Sequence, residues 1–569
     1  MPPTTTLHPT RSALPGLALA SILLLALGLR LWGIRYGLPW LFYFHDEPQV
    51  VLRALRFGTG DLNPHFFIWP ATLLLYAAFA SFGGLFVVGK LAGWWAGKEA
   101  FAAAYFEDPS AFYLLPRFQT VAFGVWGVWL TARVGQAAYS GPVGLAAAIG
   151  LALNGLHAHY SHFIHPVTWM TSFTLLGLWA ALRIAEDGGT RDLVVGALAL
   201  GFGIASQYHA GLLVVPLAIA VVLRAVHDRD QRRAWLVRGA AMIAGGILLW
   251  LIISPFTVLD FRTFRADLAW ITAKTEGSMN GISRGGWAGL DGFVRTCLVP
   301  ALGEPIAVAA AAGVLFAIAC RTRADLVLLG FTFAYVAVAS RAANLNDRYA
   351  IPLVVPALLF AARMIEWMVL QGWSRARTMI VVPVATALLC VPVAVRVIED
   401  GVTMTRDDTR VEALRWFEAN VPADARVVVD MQRFWNTATA PVAENRARLA
   451  ERLAEVQSGL SGGGHSAAYT EFYRYRIAHP HQPGYYVRST GMGTTVPALD
   501  TLRAQGFEWA MVSSDVTDEW LTRVAPADSS GAAFYRALEQ SGPPVAEFAP
   551  APWEQRGPRI RIYRLRPGA

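Results

Sequence analysis

Between Ala13 and Arg396 the chain repeats one theme, an apolar run of roughly membrane-crossing length followed by a short polar turn. Such runs, with few charges, read as transmembrane helices, because a helix satisfies its own backbone polar groups in a medium without water. The pattern predicts spans at Ala13–Trp32, Trp69–Ala92, Phe118–Ala132, Val143–Leu156, Trp169–Leu182, Leu193–Ser206, Ala210–Leu223, Gly239–Ile253, Cys297–Ala319, Leu326–Ala339, Ala350–Met368 and Met379–Val395. Several fall below the ~20 residues of a straight crossing, so tilted or broken helices are expected, with one turn at Gln207-Tyr208-His209. From Asp400 the pattern becomes mixed. Asp407-Asp408-Thr409 caps a predicted helix carrying Val411, Leu414, Trp416 and Phe417, while Arg426–Asp430, Trp509–Ser513 and Arg559–Leu565 read as strands. Ser461-Gly462-Gly463-Gly464 lacks the strand-to-helix context of a phosphate cradle and reads as a flexible loop. The expected fold class is mainly α: a polytopic membrane domain over residues 1–399 with about 11–12 helices, then an α/β domain over 400–569.

Arginines gather in three of the turns, at Arg224/Arg229/Arg232/Arg233/Arg238, at Arg321/Arg323 and at Arg363/Arg375/Arg377. The positive-inside rule puts those turns in the cytoplasm. Phe256–Arg295, Ser340–Tyr349 and everything after Arg396 then face the other side, so the tail is expected to be extracytoplasmic. Arg133 and Arg183–Arg191 fall inside by the same walk, and His157–Pro166 outside. Trp69–Ala92 does not fit this scheme as a simple crossing; its topology stays open between a re-entrant segment, an interfacial helix and two half-passes.

A hydrophobic content of 55% in 569 residues and a mean hydropathy of +0.40 exclude an ordinary soluble protein. The net charge of +8 comes largely from arginines at span ends, so it reflects topology, and no nucleic-acid partner is expected. The 3 cysteines lie in or beside apolar spans and the tail has none, which gives no disulfide framework. No small-residue cleavage site follows Leu31, so the first span reads as a retained anchor.

Candidate chemistry starts with His45-Asp46-Glu47, carboxylates in the loop after the first span, residues 33–68. Pro48 and the apolar positions Val50, Val51, Leu52, Leu55 and Phe57 suit a short helix on the membrane surface, with the acids at its N-terminal end. Acids there either complement the helix dipole or serve catalysis. Asn63 and His65 follow in the same loop. Arg341 and Arg348 flank Asn344-Leu345-Asn346-Asp347 on the predicted outer side, against the charge bias. A guanidinium there can hold a phosphate through two parallel bonds, or pair with Asp347, or reach lipid headgroups. His157, His159, His162 and His165, with His209 at the helix break, fit a metal set less well than the lining of a polar cleft, since Pro166 follows and no acid lies near. No metal ligands are assigned and no cofactor is certain; a divalent cation stays possible.

These segments together resemble the GT-C membrane glycosyltransferases, in particular the bacterial branch (glycosyltransferase family 39) akin to protein O-mannosyltransferases and lipid A aminoarabinose transferases. The carrying residues are Tyr36-Gly37-Leu38-Pro39, His45-Asp46-Glu47-Pro48, Gly60-Asp61-Leu62-Asn63-Pro64-His65-Phe66-Phe67, Ser161-His162-Phe163, Tyr208-His209-Ala210-Gly211-Leu212-Leu213, Ser254-Pro255-Phe256, Arg348-Tyr349-Ala350-Ile351-Pro352 and Gly557-Pro558-Arg559-Ile560. The resemblance implies a GT-C fold in a bacterial inner membrane and a polyprenyl-phosphate-linked sugar as donor, with membrane lipids around it. The acceptor would be a hydroxyl of a protein, lipid or glycan. By the same resemblance Asp46 and Glu47 are catalytic, Arg348, Tyr349 and Arg341 hold the donor phosphate, and His45, Asn63, His65, His162, His165, Gln207, Tyr208 and His209 line the cleft. Two positions depart from the pattern: relatives carry an Asp where this chain has Pro166-Val167-Thr168, and a Lys at Gln207. A non-catalytic relative and a lipid or solute transporter are the alternatives.

Overall fold

The computed structural model describes residues 15–40, 46–69, 71–275, 286–343, 345–433, 436–460, 466–490, 496–518, 520–521 and 530–565. His45, Asn344 and the glycine-rich 461–464 stretch lie outside them. The chain forms two compact units, one of Met1–Trp32, Arg53–Phe82 and Leu115–Ile398, the other of Gly33–Leu52, Gly83–Leu114 and Glu399–Ala569.

Helices dominate up to residue 404. They run α1 (Gly16–Leu31), α2 (Glu47–Arg56), α3 (Thr72–Leu91), α4 (Lys98–Glu107), α5 (Ser110–Ala138), α6 (Gly141–Ala152), α7 (Gly155–His162), α8 (Pro166–Glu186), α9 (Thr190–Ser206), α10 (Val214–His227) and α11 (Arg232–Ile253). After them come α12 (Phe256–Leu259), α13 (Phe261–Thr275), α14 (Gly286–Phe293), α15 (Val299–Leu302), α16 (Glu304–Cys320), α17 (Arg323–Ala339), α18 (Ile351–Leu370), α19 (Arg375–Leu389) and α20 (Val391–Met404). Among the described residues 5 helices are long and apolar enough to cross a bilayer, or up to 8 if each bent pair is one span. This is fewer than the sequence pattern suggests, because α1, α9 and α17 have only 16, 17 and 17 residues and α5, with 29, is not apolar enough. Leu236, Val237, Leu248 and Ile252 of α11 and Val308 and Leu315 of α16 are exposed. Helices that turn leucine and valine outward have lipid as their natural solvent.

Small residues set the distance between helices. A Cβ on Gly313 of α16 would fall 2.1 Å from the Phe360 carbonyl oxygen of α18, and one on Gly201 of α9 would fall 2.8 Å from the Gly246 carbonyl oxygen of α11. Glycine is what lets these backbones touch.

The first unit has two chemically distinct ends. At one, Arg183 pairs with Asp192 at 2.5 Å, Arg224 donates to the Glu186 carbonyl at 2.6 Å, and Arg323 donates to the Ala185 carbonyl at 3.2 Å. Asp325, fully buried, accepts from Tyr139 at 2.9 Å and pairs with Arg363. These are the arginine-bearing turns of the sequence. The other end holds the helix breaks. α6 and α7 bend by 57°, the α14–α15 segment and α16 by 112°, and α19 and α20 by 64°, where the sequence pattern suggested continuous spans at Val143–Leu156, Cys297–Ala319 and Met379–Val395. Arg30 of α1, fully buried, answers the first break: it donates to the Leu151 carbonyl at 3.1 Å and the Ala152 carbonyl at 3.3 Å, and stands 2.9 Å from His157 Nδ1. A guanidinium is suited to the exposed carbonyls at the end of α6.

α3 is one continuous helix. In the first unit its Ala77 carbonyl and Ser81 hydroxyl accept from Gln119 at 3.1 and 3.0 Å, in the first third of α5.

In the second unit a five-stranded sheet has the order β4-β1-β5-β7-β6, with β1 (Arg426–Asp430), β4 (Tyr486–Thr490), β5 (Trp509–Ser513), β6 (Ala546–Phe548) and β7 (Ile560–Arg564). β2 (Gln432–Arg433) and β3 (Asn436–Thr437) form a separate pair. β1 runs parallel to β4 and β5, and β7 antiparallel to β5 and β6. Val427 and Val429 enter one apolar core with Leu414 and Phe417, while Val428 enters another with Phe534 and Leu538. Both faces are covered, which is why β1 reads as an unbroken apolar run.

Segments before residue 400 also belong to this unit, unlike a simple division there. Tyr36 donates to Asp408, which caps α21 (Thr409–Asn420) through the Arg410 N–H at 2.9 Å. Asp408 also takes two bonds from the Arg410 guanidinium, at 2.8 and 3.0 Å. Arg476 donates to the Phe106 carbonyl of α4 at 2.7 Å. The polar contacts that define the unit are thus made by residues far apart in sequence.

Asp430, fully buried at the end of β1, accepts from Ser513 N at 3.0 Å, Thr490 Oγ1 at 2.8 Å and Tyr535 Oη at 2.6 Å. Burial still prevails over these donors and pushes its carboxyl up from 3.8 to about 6. Because the folded value is the higher, Asp430 contributes stability below pH 3.8 that is lost as pH rises through about 6. The loss is on the order of 3 kcal/mol. Melting temperatures of wild type and Asp430→Asn between pH 4 and 7 should diverge in slope, the variant lacking this descent; parallel curves would remove Asp430 as its source.

Candidate functional site

Asp46 forms the turn before α2 and Glu47 is its first residue, so the acid pair does stand at a helix N-terminal end. Glu47 is buried and Asp46 partly so. The apolar face of α2 is not laid on the membrane as expected: Val50, Val51 and Ala54 are fully buried within the protein. Arg53, which the sequence reading passed over, sits 4.0 Å above the Phe66 ring, and burial, with Arg56 adding, holds its guanidinium down to about 10.

In the first unit the rest of this loop folds through its own polar side chains. Asp61 accepts from Asn63 N at 3.0 Å and Arg56 Nη2 at 2.6 Å, and His65 Nε2 stands 3.1 Å away. The Asn63 N–H is the largest cause holding the Asp61 carboxyl below its usual range. Asn63 accepts from His65 N at 3.0 Å and donates to Asp260 at 2.9 Å. Phe67 N donates to Asp267 at 2.7 Å, and Tyr208 donates to the Phe67 carbonyl at 3.1 Å. Asn63, His65 and Tyr208 are therefore brought together, across Asp260 and Asp267. Those two acids were missed; their signal was a pair of carboxylates seven residues apart after Ser254-Pro255-Phe256.

Arg348 lies in a 3-10 turn, Asp347–Ala350, begun by an Asn346 side chain that accepts from Arg348 N at 3.2 Å. Tyr160, also missed, donates to Asp347 at 2.8 Å. His165 caps α8, its Nδ1 accepting from Val167 N at 3.1 Å. Its other ring nitrogen, Nε2, stands within hydrogen-bond distance of Arg348 Nη1, at 3.4 Å. A guanidinium held beside an imidazole is an arrangement suited to an oxyanion. Trp69 stacks on His165 with centroids 6.2 Å apart, and the Tyr349 ring lies 6.4 Å from His209.

Not every expected residue joins this cluster. His162 is buried and its two ring nitrogens meet the Ala158 and Trp32 carbonyls at 2.8 and 3.0 Å, so it fastens α7 to the end of α1 and does not line a cleft. Arg341 is exposed after α17, in a different turn from Arg348. Among the described residues no group of three His, Cys, Asp or Glu side chains could hold a metal ion.

Beside the Arg348 turn an apolar cavity of about 490 Å³ is lined by Val294, Leu298, Leu302, Val336, Leu353 and Phe360. Its wall includes the π-helical turn Val294–Leu298, from which Cys297 donates to the Asn346 carbonyl at 3.4 Å. One short segment thus borders both the cavity and the turn that carries Arg348.

Asn63→Asp would set a third carboxylate beside Asp61 and Asp260 and remove the amide donor. Hydrogen exchange of the Asn63–Phe67 amides is expected to rise by about ten-fold, the equivalent of one hydrogen bond of 1–1.5 kcal/mol; unchanged protection would show that Asn63 does not hold the loop.

Residues 100–258 match the family described as dolichyl-phosphate-mannose-protein mannosyltransferase, which bears out the resemblance to membrane glycosyltransferases over that segment. No curated protein sequence matches the chain. Among solved structures, ArnT from Cupriavidus metallidurans bound to undecaprenyl phosphate is 13% identical, with a TM-score of 0.46, covering 96% of this chain and 97% of that one. The apo oligosaccharyltransferase of Archaeoglobus fulgidus is 12% identical with a TM-score of 0.46, covering 90% of this chain and 72% of that one. The Saccharomyces cerevisiae protein O-mannosyltransferase Pmt1–Pmt2 complex, bound to its sugar donor, matches at 16% identity and a TM-score of 0.33, over 45% of this chain and 35% of that one.

Proposed function

We propose that this chain is an integral-membrane glycosyltransferase that moves a sugar from a polyprenyl-phosphate donor to an acceptor hydroxyl on the extracytoplasmic face of a bacterial-type inner membrane. The observation that carries the reading is the Arg348 guanidinium held beside His165, Nη1 3.4 Å from Nε2, at the end of the bundle opposite the arginine-rich turns. The family match over residues 100–258 supports the same class. By the positive-inside rule the arginine end is cytoplasmic, which turns the Arg348 end outward.

The chemistry is a displacement at the anomeric carbon. A carboxylate, Asp46 with Glu47 beside it, takes the acceptor's proton; the freed oxygen bonds to the anomeric carbon as the bond from that carbon to the phosphate oxygen breaks. The electron pair leaves with the polyprenyl phosphate, which gains one negative charge, and inversion of configuration follows. Arg348 meets that charge, stronger in the transition state than in the donor, which is how a fixed guanidinium accelerates such a step. A donor entering sideways from lipid needs no aqueous pocket for its chain. The acceptor is a hydroxyl of a protein, lipid or glycan.

Release of undecaprenyl phosphate from its sugar-linked form, with the sugar recovered on an acceptor, is the defining measurement. Asp46→Asn should lower the rate by about 10²–10⁴-fold, and near-normal turnover would take Asp46 out of the mechanism. Arg348→Gln should lower kcat/KM by about 10²–10³-fold, with a loss confined to KM arguing that it binds the donor without stabilising the transition state. Movement of lipid across the bilayer without consumption of the sugar bond would favour a transporter instead.

A further inference from the structure

Of the 13 shielded side-chain polar atoms without a hydrogen-bond partner among the described residues, three are Gln207 Oε1, Trp250 Nε1 and Ser254 Oγ. These three belong to one place. Gln207 follows the last residue of α9 and Ser254 the last of α11. These helices lie side by side in register, Gly196 against Met242 and Gly201 against Leu249, which brings Gln207 level with Ser254. The Tyr208 ring stands 6.5 Å from that of Trp250 at a near right angle, and its hydroxyl reaches the Phe67 carbonyl of the first loop. The three atoms therefore sit at the site end, next to the loop that carries Asn63 and His65.

A shielded polar atom without a partner costs about 1–3 kcal/mol, and native folds carry few of them. Three at the ends of two neighbouring helices ask for a ligand that completes them. The amide oxygen only accepts, the indole N–H only donates, and the hydroxyl does both; none is charged. An anion would be repelled by Gln207 Oε1 and a cation would find no counter-charge in the set. A neutral hydroxyl, which both donates and accepts, satisfies it, and the rings of Tyr208 and Trp250 offer an apolar face to the carbon skeleton bearing that hydroxyl.

We infer that Gln207, Trp250 and Ser254 form a subsite that reads a neutral hydroxyl of the transferred sugar, selecting an unmodified hexose over one that is deoxygenated or charged at that position. The inference rests on the glycosyltransferase reading above for the identity of its ligand. A site built around a hydroxyl rejects the analogue lacking it, because its polar atoms are then left unpaired.

The test uses the full chain in lipid nanodiscs with undecaprenyl-phosphate-linked mannose, glucose and galactose and the monodeoxy form of each. Binding is followed by thermal stabilisation, and turnover by release of undecaprenyl phosphate in native membranes. Wild type should prefer one parent hexose over one of its deoxy forms by about ten-fold or more, and Gln207→Leu and Ser254→Ala should each reduce that preference to about two-fold. Ser254→Ala, which removes a single oxygen, guards against a folding defect in the larger change. Preference retained in both variants, or absent in wild type that turns over, overturns the subsite and leaves the enzyme reading standing. Hydroxyl-dependent binding without turnover of any donor does the reverse, and neither binding nor turnover overturns both.

Discussion

The constraint on which the rest depends is that a backbone broken inside a membrane must find partners for the groups it frees. In the first unit the three bent breaks all lie at one end, and side chains answer the first two. Arg30 serves the carbonyls that close α6. Asn154 caps α7 through His157 N and donates to the Ala301 carbonyl at 2.7 Å, tying the first break to the second. Arg396 donates to the Pro300 carbonyl at 3.1 Å, tying the third to the second.

The need for such partners explains why the site end is rich in polar residues of two kinds that look alike in sequence. His157 and His162 hold the bundle together. His165 does both jobs, capping α8 with one nitrogen and facing Arg348 with the other. Asn346 shapes the turn that aims the guanidinium, and Tyr160 steadies the acid next to it. The breaks that create a need for capping also open the space between helices in which an apolar cavity and the Arg348 turn lie side by side.

Much of the architecture is legible in the sequence because it follows from local pattern. The apolar runs, the interruption at Gln207, the strands β1 and β5 and the Asp408 cap all appear where periodicity and capping residues put them. What periodicity cannot convey is where an apolar run bends: Asn154 and Gly303, whose φ is +73°, interrupt runs that read as continuous. Nor does it show partners distant in sequence. Asp260, Asp267 and Tyr160 acquire their meaning from contacts with Asn63, Phe67 and Asp347. The histidines looked like one functional group because spacing alone cannot tell a ring that bonds two carbonyls from one that faces a cleft. Arg348 stood out in the sequence for the opposite reason, as a cation where topology gave it no purpose.

The bond from Tyr36 to Asp408 joins residues 372 positions apart, and it carries a consequence for how the chain is made. At translation speeds of about 5–20 residues per second, the segment bearing the acid pair emerges roughly 20–75 s before its anchor exists. During that interval it lacks the surface it is shaped to meet. A nascent chain cut short anywhere ahead of residue 408 would leave Tyr36 without that partner, so the loop that bears the acid pair can settle only after the start of the tail has been made.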